Sequence, residues 1–171
     1  MNPKRALDDM RTIKGLLTEA ERISREMGQE EPGVEHLLLA AAELPDGSGA
    51  RALARAGTDA ARISEALVRE QEDALVTAGV AREVAERLAV PTPLGPAGAP
   101  LLYGAGPSAR EAFRTATELA RASRRPLAGA HVVAAVAATE RGTAARVLER
   151  LGIDRRALAD AAEQELAAAR G

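Results

Sequence analysis

Two histidines occupy the same place in two related stretches of this 171-residue chain. His36 and His131 each come directly before an apolar run, and such residues can serve as an acid, a base or a metal ligand. A metal site needs further ligands, but the sequence has no cysteine and no third histidine. Recurrence at two predicted helix starts instead favours hydrogen bonding to nearby backbone. We therefore predict no catalytic residue, metal or cofactor, and structural roles for His36 and His131.

A carboxylate, Glu35, stands directly before the first of these histidines. Its two oxygens match the planar fork of an arginine guanidinium, so binding of a guanidinium ligand is one interpretation. The other is that Glu35 balances the dipole at the start of a helix. The equivalent position in the second stretch is Ala130, so a ligand role is predicted for Glu35 alone.

Basic residues also align along one predicted helix. Four of them fall within about 60° of one another at 100° per residue. They are Arg110, Arg114, Arg121 and Arg125. Glu111 and Glu118 border this face, and no aromatic residue interleaves it for stacking on bases. A solvated helix face is the first interpretation; binding of nucleic acid or of an acidic partner is the alternative function, with nucleic acid the less favoured.

The elements that position these residues are predicted to be helices. Hydrophobic residues make up 46% of the chain and charged residues 28%, with only Tyr103 and Phe113 as aromatics. A net charge of -2 provides no global field for nucleic acid or an anionic membrane. The acidic start of the chain and the lack of a run of about 18 apolar residues predict a cytoplasmic protein without a membrane segment.

The chain contains two copies of one unit. At an offset of 95, residues 36–63 align without a gap to residues 131–158, and repeated glycines suggest shared turns. The identical pairs are His36/His131, Ala40/Ala135, Ala42/Ala137, Gly47/Gly142, Ala50/Ala145, Arg51/Arg146, Leu53/Leu148, Arg55/Arg150, Gly57/Gly152 and Asp59/Asp154.

Start and stop signals predict four helices in each copy. In the first copy, helices cover about 2–27, 34–44 and 48–56, and a fourth is capped by Asp59. The first has Asn2 as its cap and Leu7, Met10, Ile13, Leu17, Ala20 and Met27 on its apolar side; the third has Ser48 as its cap. Gly57 and Gly152 are structural residues past the ends of the third helices. In the second copy, helices cover about 108–123, 129–140, 143–151 and 154–170.

The fold class predicted is all-α, with two pseudo-symmetric four-helix repeats packed together as one compact domain. The boundaries are 1–70 for the first repeat, 71–107 for a connecting segment and 108–171 for the second repeat. The connecting segment contains one or two short helices around Gly79 and then the stretch 91–100, whose four prolines predict an extended linker. Phe113 and the alanines near it are predicted to lie where the bundles meet, and an apolar groove between repeats is the expected peptide site.

Three strings resemble the amino-terminal domain of Clp proteins, as found in ClpC-type unfoldases. Residues 28–40 are similar to the first-repeat signature, in which a helix ends in glycine and a glutamate-histidine loop leads into a leucine-rich helix. Residues 47–57 and 142–152 continue the resemblance in both copies. It covers nearly the whole chain apart from the connecting segment, as in stand-alone actinobacterial relatives. No phosphate-binding Gly-x-x-x-x-Gly-Lys-Ser/Thr motif occurs, so no ATPase module is expected.

The resemblance implies a site that receives substrates, adaptors or phosphoarginine-tagged proteins. In the family each repeat supplies a glutamate before the second helix and a threonine at the start of the first. Here Glu35 matches the first glutamate, whereas Ala130, Met10 and Gly106 stand at the other three positions. We therefore expect a non-catalytic adaptor, receptor or decoy in Clp-dependent proteolysis, present as a monomer or weak homodimer, whose partner is a Clp unfoldase, an adaptor or a substrate. A small hydrolase is disfavoured because no motif assembles a nucleophile, base and orienting group.

Overall fold

The computed structural model describes residues 3–95 and 105–169, and within them the chain forms nine α-helices and no strand. The helices are α1 (Pro3–Glu26), α2 (Val34–Glu43), α3 (Ser48–Arg55), α4 (Ala60–Thr77), α5 (Arg82–Ala89), α6 (Pro107–Ala122), α7 (Gly129–Ala137), α8 (Thr143–Arg150) and α9 (Arg155–Ala168). The predicted all-α class is confirmed, with α1–α4 as the first repeat and α6–α9 as the second. The predicted cap Asn2 and residues 96–104 of the connecting segment lie outside the described residues.

Matching turns and caps separate equivalent helices in the two repeats. Gly57 and Gly152 follow α3 and α8 with φ angles of 79° and 68°, a backbone region that favours glycine. Asp59 and Asp154 then cap α4 and α9, and each carboxylate accepts a hydrogen bond from the N–H three residues further on, at 2.9 and 3.0 Å. The recurring Gly-x-Asp therefore fixes the same corner twice.

The centre of the molecule is formed by α2 and α7. Both helices are buried along most of their length, and they pack against each other, α2 also against α1 and α3, and α7 against α3, α6 and α9. A short helix that is apolar all round is stable only when other elements cover every side of it. As a result the first turns of α2 and α7 lie between the repeats, which places Glu35, His36 and His131 beside that interface.

The first two turns of α1 extend beyond the core. Leu7 is 58% exposed and Met10 is 66% exposed, so the apolar side predicted for this helix is not buried over its first turns. The reason is length, because α1 has 24 residues whereas α2, on which it packs, has 10. At about 1.5 Å per residue the first turns of α1 have no partner along α2, and full burial of α1 begins at Leu16.

Two further bounds differ from expectation. Gly47, with φ 65°, holds the cap position of α3, and Ser48 is the buried first residue of that helix rather than its cap. In the first repeat α4 continues to Thr77, past the predicted boundary at residue 70, and Gly79 follows with φ 94°.

Carboxylates join the repeats in two equivalent places. Glu165 on α9 accepts hydrogen bonds from Arg51 Nε (2.7 Å) and from Arg55 on α3. Its counterpart on α4, Glu70, accepts hydrogen bonds from Arg146 and Arg150 on α8. These two carboxylate clamps explain why the arginine pairs are identical in the repeats. Glu165 is only 4% exposed, whereas the four arginine side chains are between 34% and 57% exposed.

The connecting segment packs on the first repeat. Ala85 and Ala89 of α5 are buried, and α5 lies against α4. Residues 91–95 contain no helix and lie at the carboxyl end of α1. The Leu94 N–H donates to the Arg25 carbonyl at 2.8 Å, and Arg25 Nε donates to the carbonyl of Gly95.

Candidate functional site

The two histidines hydrogen-bond to the loops that precede their helices. The Gly33 N–H donates to His36 Nδ1 at 2.8 Å, and the Ala128 N–H donates to His131 Nδ1 at 3.1 Å. Burial lowers the pKa of His36 to about 4, and burial and the Arg125 charge lower that of His131. Both rings are therefore neutral near pH 7, and each supports the loop before its helix.

The far side of each imidazole differs between the repeats. Because Nδ1 accepts a hydrogen bond, the proton of the neutral ring lies on Nε2. His131 Nε2 is 3.2 Å from Ser123 Oγ, which is placed to accept it. His36 Nε2 is buried and has no partner among the described residues. Met27 directly follows the last residue of α1, just as Ser123 directly follows the last residue of α6, so a thioether stands where the second repeat has a hydroxyl.

Glu35 opens onto a cleft between the repeats, which we call the first cleft. It is lined by residues 31–35, 106–109 and 141–144 and has a volume of about 280 Å³. The Gly106 N–H donates to the Pro32 carbonyl at 3.2 Å and joins the two sides. Glu35 therefore faces the start of α6, the first helix of the other repeat, where Ser108 is exposed. Of the other positions named with the resemblance, Gly106 lines this cleft, whereas Met10 is exposed on α1 and does not.

The carboxylate of Glu35 is buried without a cation against it. The residue is 8% exposed, and its Oε1 lies 3.6 Å from Nδ1 of the neutral His36. Burial raises the pKa of Glu35, while the N–H of the residue itself and the charge of Arg146 lower it in part. The Arg146 guanidinium, however, donates to Glu70. Among the described residues no lysine or arginine nitrogen lies within 4.0 Å of this carboxylate. Glu35 is therefore a carboxylate with unused capacity to accept hydrogen bonds.

A second cleft occupies the pseudo-equivalent place, and Ala130 stands there where the first cleft has Glu35. It has a volume of about 660 Å³ and is lined by residues that include Thr12, Asp46, Ser48, Leu127 and Ala128. Here the α2–α3 loop supplies the groups that pair with the start of α7. Asp46 Oδ2 accepts from the Gly129 N–H at 3.0 Å, and Ser48 Oγ accepts from the Ala130 N–H at 2.9 Å. The start of α7, where Ala130 replaces the carboxylate, thus has its N–H groups hydrogen-bonded by residues of the other repeat.

Two glycines bring these elements together. A Cβ at Gly129 would lie 2.6 Å from the Ala41 carbonyl oxygen and 2.8 Å from the Gly49 backbone nitrogen, so no side chain fits there. At the corresponding positions beside the first cleft the chain has Val34 and Ala144, both buried. The sequence alone shows that one repeat has glycine where the other has a larger residue. It does not show that these glycines allow a close approach of two backbones, because that depends on how the repeats dock.

The predicted basic face does not form one continuous stripe. Arg114 lies between Glu111 and Glu118 and pairs with both, each at 2.5 Å. Arg110 and Arg121 are exposed on α6. Arg125 lies beyond the end of α6, where its guanidinium donates to the Leu166 carbonyl. The placement of Arg125 on this helix face was therefore wrong, because α6 ends at Ala122.

Comparison with known proteins agrees with this architecture. Residues 11–89 match the family model of the Clp repeat (R) N-terminal domain. The crystal structure of the N-terminal domain of the caseinolytic protease associated chaperone ClpD from Arabidopsis thaliana superposes with a TM-score of 0.58. The two sequences are 21% identical, and the match covers 93% of this chain and 92% of that one. No curated protein sequence matches significantly.

None of the helices in the described residues is long and apolar enough to cross a membrane. In the same part of the chain, no group of three or more histidine, aspartate or glutamate side chains is arranged to hold a metal ion.

Proposed function

We propose, on the premise that this chain has the fold of a Clp amino-terminal domain and carries a Clp repeat over residues 11–89, that it is a non-catalytic module that binds a protein or peptide. The observation that carries the proposal is the carboxylate of Glu35 in the first cleft, which is buried and forms no ion pair with a lysine or arginine among the described residues. The ligand group is a guanidinium, from an arginine or a phosphoarginine of a partner protein.

The electrostatics of the first cleft support this choice of ligand. A carboxylate removed from water without a counter-charge is less stable than one that is paired. A planar guanidinium that enters the cleft donates two parallel hydrogen bonds to Glu35 and supplies the missing positive charge. The volume of about 280 Å³ suits one side chain rather than a folded element. Arg141 also lines the cleft and offers a positive charge to a phosphate carried by the same ligand.

The biological role follows from the partners that such a module recognises. We assign the chain to Clp-dependent proteolysis as an adaptor, a substrate receptor or a decoy that sequesters ligands. Its partners are then a Clp unfoldase, an adaptor or a substrate. The paired state of Arg114 supports this role over nucleic-acid binding, because that side chain already has two acidic partners.

Calorimetry with a short peptide that contains phosphoarginine, and with the same peptide carrying arginine, tests the proposal. We expect saturable binding that Glu35→Gln weakens at least tenfold, because the amide retains shape but loses the charge and one acceptor. Glu30→Gln is the matched control, since Glu30 is exposed in the preceding loop and does not line the cleft. Absence of binding by either peptide, together with no capture of the cognate unfoldase or its adaptors, would remove the proposed function.

A further inference from the structure

The first repeat carries a segment of its own chain at the edge of the groove between α1, α2 and α4. We call this the closed groove; it is lined by Ile23, Met27, Leu39, Val68 and Pro91, among others, and has a volume of about 240 Å³. The segment 91–95 runs past the carboxyl end of α1 and hydrogen-bonds to both the backbone and the side chain of Arg25. The Arg25 carbonyl accepts from the Leu94 N–H, and the Arg25 guanidinium donates to the Gly95 carbonyl.

The second repeat has the same helix end, and no segment covers it among residues 3–95 and 105–169. Gly28 and Arg124 follow α1 and α6 with positive φ angles of 74° and 57°. The N–H of each donates at 3.0 Å to the carbonyl three residues earlier, which belongs to Arg25 in one repeat and Arg121 in the other. Arg121 is therefore the counterpart of Arg25. Its side chain is exposed. Its carbonyl oxygen accepts one hydrogen bond, from Arg124, and has a second lone pair of the kind that the Arg25 carbonyl uses to accept from Leu94.

Beside Arg121 lies what we call the open groove, between α6, α7 and α9. It has a volume of about 660 Å³ and is lined by residues that include Leu119, Ser123, His131, Ala134 and Leu166. Two small side chains make it larger than the closed groove, because Ser123 and Ala134 stand where the first repeat has Met27 and Leu39. Leu119 is 38% exposed at its edge, whereas its counterpart Ile23 is buried.

We propose that the open groove binds an extended, uncharged segment of a partner protein that contains proline and leucine. The occupant of the equivalent place in this molecule, Pro91-Thr92-Pro93-Leu94-Gly95, defines that chemistry. An apolar side chain enters the space over Ala134, the Arg121 carbonyl accepts a backbone N–H, and the Arg121 guanidinium donates to a backbone carbonyl. Asp160 and Glu163 line the groove and oppose acidic segments. This surface extends the proposed function to a second site and does not use Glu35.

Arg124 limits how closely a bound segment can follow the path that residues 91–95 take in the first repeat. A Cβ at Gly28 would lie 2.8 Å from the Thr92 carbonyl oxygen, so the connecting segment passes where the first repeat has no side chain. The second repeat has Arg124 at this position, and its side chain keeps an incoming segment away from the helix end. Arg124→Gly is therefore expected to increase affinity for such a segment.

The probe is a capped synthetic peptide of residues 89–95, titrated into the full chain and followed by calorimetry and amide NMR. We expect saturable binding with shifts in the amides of Ser123, Ala134 and their neighbours. Ala134→Leu and Ser123→Met, which introduce a large side chain as in the first repeat, each weaken binding at least tenfold. Ala61→Leu, at an exposed site of α4 in the first repeat, and Glu35→Gln leave the affinity unchanged.

Several results would overturn the assignment. They are no saturable binding, affinity unaffected by Ala134→Leu, or shifts confined to the first repeat. If instead the chain self-associates and Ala134→Leu abolishes that association, the groove is an interface between two copies. Loss of arginine-peptide binding in Glu35→Gln with retained 89–95 binding separates the first cleft from this groove, so the two proposals can fail independently.

Discussion

The first and second clefts meet the same physical need with different parts of the chain. Each is bounded by the start of a central helix, whose N–H groups favour an acidic partner. In the first cleft that partner is Glu35, the second residue of α2 itself. In the second cleft it is Asp46, which reaches across from the other repeat to the N–H of Gly129. A repeat can therefore lose a carboxylate at one position and regain its effect from another element.

This difference also separates binding from stability. Asp46 already accepts two backbone hydrogen bonds, from Ser48 and Gly129, and is part of the packing between repeats. Glu35 is buried beside an open cleft, and no lysine or arginine of the described part of the chain contacts its carboxylate. We therefore expect substitutions around the second cleft to change the free energy of unfolding, and substitution of Glu35 to change ligand affinity.

The largest expected effect comes from filling the close approach beside the second cleft. Gly129→Ala should lower the free energy of unfolding by about 3 kcal/mol, because its Cβ meets backbone atoms of Ala41 and Gly49 that cannot turn away. Gly15→Ala is the matched control: it lies inside α1 with only the Leu44 side chain nearby, at 3.9 Å, and should stabilise by about 0.5–1 kcal/mol. Urea unfolding of both variants measures this, and equal effects would contradict the proposed packing.

The carboxylate clamps offer the next largest effect. Glu165→Gln should cost about 2 kcal/mol at neutral pH, because the amide loses the negative charge and one of the two oxygens that accept from Arg51 and Arg55. Glu70→Gln should cost less, since Glu70 is more exposed, with 14% of its side chain accessible against 4% for Glu165. Urea unfolding measures both variants. A larger loss in the free energy of unfolding for Glu70→Gln than for Glu165→Gln would contradict the expected order of the two clamps.

Acid adds a second test of the same clamp. Arg55 and Arg51 lower the pKa of Glu165 below its ordinary value of 4.5. A depressed pKa in the folded state stabilises the fold above the ordinary pKa, and that contribution is lost as pH falls through the folded value. The stability difference between the native protein and Glu165→Gln should therefore narrow below pH 4.5. Urea midpoints measured from pH 7 to pH 3 show whether it does.

Removal of Asp46, the acidic partner at the start of α7, should have a smaller effect on the free energy of unfolding. Asp46→Ala removes the acceptor of the Ser48 and Gly129 N–H groups and should cost about 1 kcal/mol. Arg141→Ala, at the equivalent position of the second repeat, should change stability by less than about 0.5 kcal/mol because Arg141 is exposed. Thermal unfolding of the pair distinguishes them, and equal midpoints would mean that the α2–α3 loop does not support α7.

The smallest effect concerns the helix ends. Arg124 adopts φ 57°, whereas its counterpart Gly28 adopts a similar angle without a side chain. Arg124→Gly should therefore stabilise by about 0.5–1 kcal/mol through relief of backbone strain, offset in part by the greater freedom of the unfolded chain. A decreased melting temperature in differential scanning calorimetry would show that the Arg124 side chain contributes more than its backbone costs.

Sequence patterns predicted most of the fold because its signals are local. The Gly-x-Asp corners, the apolar central helices and the offset between repeats specify the helices and their order. Contacts between repeats were not predicted, since they depend on how two similar units dock. Ala130 showed that a carboxylate was missing, but nothing in the linear sequence connected Asp46 to that helix start. The ion pairs of Glu70 and Glu165 with arginines of the opposite repeat were not predicted for the same reason.

The most direct test of the proposed function is the titration of Glu35 itself. Its side-chain carboxyl carbon is followed by NMR against pH, with and without a saturating arginine-containing peptide. Without peptide, burial should hold the pKa above its ordinary value of 4.5. A bound guanidinium stabilises the carboxylate, so the pKa should fall on binding, and peptide affinity should decrease as pH is lowered through the ligand-free value. An unchanged pKa in the presence of bound peptide would contradict a guanidinium site at Glu35.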